Sequence, residues 1–157
     1  MFEVLLPASR NSACRENAPD VRPVPAGSGR ILVMDDEAYI REILVEMLTM
    51  LGYEADACDN GEELIRIYRD MTGRGCAPDA TIVDLTIRGG MGGLEAANTI
   101  LEFDPRARLI VASGYSTDPV MAHFRQYGFA AALAKPFQLE DVTTVLANVV
   151  GDRAQTD

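Results

Sequence analysis

Positive charge is scarce in this chain of 157 residues: 14 lysines and arginines face 24 acids, giving a formal net charge of −10. That balance argues against unaided binding to nucleic acid or to an anionic membrane surface. Long apolar runs are also missing, and no stretch approaches the roughly 18 residues needed to span a bilayer. Met1–Pro7 has neither a basic region nor a proper hydrophobic stretch, so it is not a signal peptide. Cysteine occurs only three times, at Cys14, Cys58 and Cys76, an odd number without metal-type spacing. Free structural thiols in a reducing, cytoplasmic compartment are the reading that follows. The single histidine, His123, sits in a helical stretch and reads as a surface residue. The glycine-rich run 89–93 is not followed by Lys-Ser/Thr and is therefore no nucleotide P-loop.

What is present is apolar residue in quantity, 48% of the chain, enough for the core of one domain. Phe2–Pro7 reads as one strand stopped by its proline, and Ala8–Gly29, rich in Pro, Ser, Asn and Gly, as a flexible linker. A folded domain is expected over 30–150, followed by a disordered tail over 151–157. Within it, strand and helix alternate five times. The strands are Ile31–Asp35, Tyr53–Cys58, Ala80–Asp84, Arg108–Ala112 and Ala130–Ala134. The helices run from about Glu37 to Leu51, from a cap at Asp59 or Asn60 to Gly73, and from about Leu94 to Phe103. The last two span Asp118 to Gly128 and Gln138 to Val150. Five βα units predict an α/β, flavodoxin-like, doubly wound parallel sheet of order 2-1-3-4-5 with five helices.

The central strand, Ala80-Thr81-Ile82-Val83-Asp84, ends on a carboxylate. Ile31–Met34 runs into Asp35-Asp36, Leu109–Ala112 into Ser113, and Ala131–Ala134 into Lys135-Pro136. Open α/β sheets place their chemistry at this carboxyl edge. Order 2-1-3-4-5 makes the first and third strands neighbours, so Asp35, Asp36 and Asp84 should converge. Close carboxylates repel by about 4 kcal/mol per pair near a surface, so they protonate or hold a hard cation. Oxygen ligands on an open edge suit Mg²⁺. With a lysine and a hydroxyl on the rim, the set is equipped for phosphoryl transfer to a carboxylate nucleophile. Lys135 is the chain's only lysine, a compact point charge that an arginine fork does not copy.

These residues, Ile31–Glu37, Asp84, Ser113 and Lys135-Pro136-Phe137, resemble the receiver domain of two-component response regulators over about Arg30 to Val150. The resemblance implies that Asp84 accepts a phosphoryl group from a phosphohistidine on a histidine kinase or histidine phosphotransfer domain. It implies Mg²⁺ held by Asp36, Asp84 and the backbone carbonyl of Thr86, with Asp35 acting through water. Lys135 would pair with the phosphoryl oxygens, Ser113 would move to bond one of them, and the Lys135–Pro136 bond would be cis. Phosphorylation would then bias the face made by the fourth helix, fifth strand and fifth helix. Two departures stand out. The family's switch aromatic falls at Ala132, with Tyr115 or Phe129 as candidate substitutes. The loop after Asp84 carries Arg88 where proline is common, and Gly92 or Gly93 where a glycine is expected.

The Gly-Gly-Met-Gly-Gly form of that loop looks like receivers fused to hybrid histidine kinases. Phe2–Pro7 resembles the last strand of a kinase ATP-binding domain, which would make Met1 an artefact of construction and this chain the C-terminal piece of a kinase. A stand-alone regulator signalling by protein–protein contact is the alternative. The short tail is expected to carry no DNA-binding effector, and the domain to be a monomer or weak dimer without membrane contact. Less favoured are a receiver working without phosphorylation and a Mg²⁺-dependent phosphohydrolase. The hydrolase pattern has two Asp residues spaced two apart after its first strand, whereas Asp35 and Asp36 are adjacent.

Overall fold

A computed structural model describes residues 27–115 and 117–151; Phe2–Pro7, most of the expected linker and the expected tail after Gly151 lie outside them. The strands are β1 (Arg30–Met34), β2 (Glu54–Cys58), β3 (Ala80–Asp84), β4 (Leu109–Ser113) and β5 (Ala131–Ala134). They form one parallel sheet of order β2-β1-β3-β4-β5, as expected. The helices are α1 (Ala38–Met50), α2 (Gly61–Gly73), α3 (Gly93–Phe103), α4 (Pro119–Ala122) and α5 (Leu139–Gly151).

Alternation along the inner strands divides the core. Ile31 and Val33 of β1 face α1 and α5, meeting Leu44, Leu48, Val142 and Leu146. Leu32 and Met34 face the other way, toward Leu64 and Tyr68 of α2 and Ala96 and Ile100 of α3. β1, β3 and β4 therefore bury both faces, which is why they read as unbroken apolar runs. Each such large side chain contributes about 1.5–3 kcal/mol on burial. A Leu32→Ala change, removing a fully buried side chain, would cost about 2–5 kcal/mol. β2, at the sheet edge, buries only Cys58 fully.

Local signals account for the boundaries. The Asn60 side chain accepts from the Glu63 N–H at 2.8 Å and caps α2. Gly52, at φ 92°, turns the chain out of α1. Residues before Arg30 are already attached to the domain: the Gly27 N–H donates to the Leu51 carbonyl at 2.7 Å, and the Glu54 N–H to the Gly29 carbonyl at 2.9 Å.

One expected helix differs. The chain from Asp118 to Gly128 is a four-residue α4, an interruption at His123 (φ −124°, ψ 36°) and a 3₁₀ turn over Phe124–Tyr127. Asp118 caps it and Gly128 ends it, at φ 88°, as expected. Between them only Val120 is buried. Helices in proteins draw most of their stability from packing an apolar face, and this segment has too little of one to hold a continuous helix.

Candidate functional site

The register of the sheet assembles the site. β1 and β3 pair Met34 with Val83, so Asp35 and Asp84 emerge side by side, one residue further along adjacent strands. β4 and β5 pair Ser113 with Ala134, and the Lys135 N–H donates to the Ser113 carbonyl at 3.0 Å. The four strand ends thus meet at the carboxyl edge. The Lys135–Pro136 peptide is cis, as the resemblance implied.

Lys135 Nζ donates to Asp35 Oδ2 at 2.6 Å and lies 3.3 Å from Asp84 Oδ2. Asp35, Asp84 and Ser113 are each 1% exposed, so this is a buried charge cluster. The Asp84 contact is close enough for ion pairing but not aligned as a hydrogen bond, and Oδ2 has no hydrogen-bond partner. Oδ1 accepts from the Thr86 N–H at 3.2 Å. Burial pushes the Asp84 carboxyl above the ordinary carboxylate range and Asp35 adds to the rise; the Thr86 N–H and Lys135 oppose it. For Lys135, burial acts to lower the pKa, but the hydrogen bond to Asp35 and the charges of Asp84 and Asp35 outweigh it and the net direction is up.

Asp35 also has a structural role, because its Oδ1 accepts from the Glu37 N–H at 2.9 Å and orders the entry to α1. The Arg41 guanidinium donates to the Asp35 carbonyl at 2.7 Å. Asp36 points elsewhere: its Oδ2 accepts from the Arg88 N–H at 3.1 Å, in the loop after β3. Among the described residues, the acids whose oxygens lie within 4.8 Å of one another are Asp35, Asp36 and Glu37. Lys135 thus bridges Asp35 and Asp84, and Asp36 and Glu37 gather with Asp35. Glu37 belongs to the Ile31–Glu37 run that carries the resemblance but was given no ligand role; an acid directly after Asp35-Asp36 was the available signal. The oxygen-only donor set and the unpartnered, buried Asp84 Oδ2 fit a small hard cation.

Thr86 sits beside Asp84 and meets it through its backbone N–H. Gly93 lets α3 begin against the strand end: a Cβ there would lie 2.0 Å from the Asp84 carbonyl oxygen. Ser113 Oγ accepts from the Tyr115 N–H at 3.1 Å, tying the hydroxyl to its own loop. Ala132 is half-buried. Of the two candidate substitutes for an aromatic there, Phe129 is 2% exposed, fixed in the core, and Tyr115 is 65% exposed.

The family model of the response regulator receiver domain matches residues 31–147. The chain belongs to the response regulator receiver family. Among its relatives, the chemotaxis protein CheY of Thermotoga maritima is 31% identical over 121 residues, covering 76% of this chain and 96% of the relative. The CheY of Bacillus subtilis is 30% identical, covering 72% and 90%. The crystal structure of the response regulator TrrA of T. maritima, in complex with Mg²⁺ and BeF, superposes with a TM-score of 0.64 at 29% identity. It covers 76% of this chain and 97% of that one. The receiver domain of a sensor histidine kinase from Pseudomonas aeruginosa PAO1, with a magnesium ion in its active-site cleft, matches with a TM-score of 0.69. At 21% identity, over 80% of this chain and 99% of that one, it supports the fold alone. This receiver domain is therefore a component of two-component signalling. Among its described residues, no helix is long and apolar enough to cross a membrane.

Proposed function

We propose that Asp84 is the phosphoacceptor of this receiver, taking a phosphoryl group from a phosphohistidine on a histidine kinase or histidine phosphotransfer domain. The observation that carries this is the buried Asp84 carboxylate, its Oδ2 without a hydrogen-bond partner and ion-paired at 3.3 Å with the chain's only lysine. In the transfer, an Asp84 oxygen attacks phosphorus, the phosphorus–nitrogen bond breaks, and the imidazole leaves with the bond's electron pair. Lys135 holds Asp84 ionised before attack and faces the incoming phosphoryl oxygens with positive charge. Ser113 exchanges its Tyr115 N–H contact for one of those oxygens.

Asp35, Asp36, Asp84 and the Thr86 carbonyl are the groups proposed to hold Mg²⁺, with Glu37 beside them. The ion, when bound, supplies positive charge that offsets the negative charge on the transferred phosphoryl oxygens. The hydrogen bond from Glu37 to Asp35 keeps that carboxylate facing the cluster.

We further propose that the receiver acts in the cytoplasm as a monomer or weak dimer, within a hybrid histidine kinase. Support for the kinase context is the Gly89–Gly93 loop and the strand-like Phe2–Pro7 upstream of the domain. The test is intact-mass spectrometry after incubation with acetyl phosphate, with and without Mg²⁺, beside Asp84→Asn. One phosphoryl adduct that needs both Mg²⁺ and Asp84 is expected. No adduct from the folded wild type, with beryllofluoride also without effect, would leave a phosphorylation-independent binding module.

A further inference from the structure

The 3.1 Å bond between the Arg88 N–H and Asp36 Oδ2 joins residues 52 positions apart and ties a proposed cation ligand to the loop that follows the phosphoacceptor. We propose that this backbone N–H is a latch on Asp36: it occupies one oxygen of the carboxylate, opposes Mg²⁺ entry, and is released when Mg²⁺ binds. This inference rests on the cation site proposed above.

Three observations support the latch. First, the close group of acids among the described residues is Asp35, Asp36 and Glu37, and the bond occupies an oxygen of one of its members. Second, the loop is not slack. The Met91 N–H donates to Glu62 Oε2 and the Gly61 N–H to the Met91 carbonyl, each at 3.3 Å, which fastens the loop to the start of α2. Gly89 and Gly90, at φ 80° and 79°, carry the chain through the turn between those contacts and Arg88. Asp36 therefore has to turn from a loop anchored at its far side. Third, the positive end of the Arg88 N–H dipole faces the oxygen against which the cation's charge would come. A donor and a divalent cation at one carboxylate repel each other, so each weakens the other's hold.

Only the backbone of Arg88 takes part in the recorded bond, which makes the latch separable from the side chain's charge. Arg88→Ala keeps the N–H and removes the guanidinium; Arg88→Pro removes both. Comparing the two cancels the charge and leaves the hydrogen bond. Mg²⁺ binding to each, followed by isothermal titration calorimetry, should be about fivefold tighter in the proline variant, equivalent to about 1 kcal/mol at 1.4 kcal/mol per tenfold. Equal or weaker binding in the proline variant overturns the latch while leaving the cation site standing. No uptake by either variant or by the unaltered chain overturns both. Because a proline can disturb the loop by itself, a second measurement uses the unaltered protein. Hydrogen exchange at the Arg88 amide, followed by NMR, should accelerate as Mg²⁺ is added. Unchanged or increased protection at saturating Mg²⁺ overturns the latch whether or not the proline variant folds.

Discussion

Lys135→Met removes the one side-chain cation bridging Asp35 and Asp84 and keeps a flexible apolar stem in its place. The cation touches two carboxylates at 2.6 and 3.3 Å, and both acids are buried. Without it, two negative charges share a water-poor strand edge. Breaking a buried pair by removing one partner costs about 3–5 kcal/mol, and relief by proton uptake puts this case near 3. For a domain of this size that corresponds to a fall in Tm of roughly 6–12 °C. The pH dependence has a definite sign. Asp84 already has a folded-state pKa above the ordinary range, chiefly through burial. It therefore binds more protons folded than unfolded. Its cost to stability is absent below the ordinary carboxylate range and complete above the raised folded value. Lys135 is one of the groups opposing that rise, so its loss moves the Asp84 pKa further up and widens the window. Urea unfolding in metal-free buffer, followed by circular dichroism, should show the variant losing most at pH 7 and less at pH 5. A loss below about 1 kcal/mol at pH 7, the size of an exposed pair, would refute the reasoning. So would a loss that does not change between the two pH values.

Gly93→Ala should destabilise by about 1–3 kcal/mol in thermal melts, because its Cβ would press on the Asp84 carbonyl oxygen, a backbone atom that cannot swing away. Gly73→Ala, which meets nothing within 4 Å at the end of α2, should be neutral or stabilise by about 0.5 kcal/mol. The Cys58 thiol, pushed up to about 12 chiefly by burial, should resist iodoacetamide at pH 8 while half-buried Cys76 is modified. Equal labelling, read by peptide mass mapping, would contradict that. Tyr68→Phe removes the 2.8 Å bond to Asp104 Oδ2 from a phenol 2% exposed; it should lower stability by about 1 kcal/mol in urea, and an unchanged midpoint would count against it.

The sheet was legible because its inner strands are buried on both faces and so read as short apolar runs, each ending on a polar residue. Asp84, Ser113 and Lys135 followed from the same pattern, since a strand's last residue has a fixed place once the strand order is known. What stayed hidden depends on side-chain rotamers and on loops. Nothing in Asp35-Asp36 says that the first turns toward Lys135 and the second toward the Arg88 N–H, because that choice is made by a loop 52 residues away. The break at His123 was missed because Asp118, Pro119 and Gly128 are good end signals. Only the buried surface between them shows that Val120 alone is fully buried, with Met121 and Phe124 packed against the core at its edge. The α2 face is another case: the helical spacing of apolar residues does not say that Ile65 is buried beside Leu64, Tyr68 and Met71 while Ile67 is only half-buried against the same core.

Reductive trapping tests the central claim most directly. Borohydride converts an aspartyl phosphate to homoserine, and peptide sequencing by mass spectrometry then reads the position. After incubation with a phosphorylated histidine phosphotransfer domain and Mg²⁺, homoserine should appear at position 84 and nowhere else. Conversion at Asp35 or Asp36, or none in protein that stays folded, would contradict the assignment of Asp84 as the phosphoacceptor.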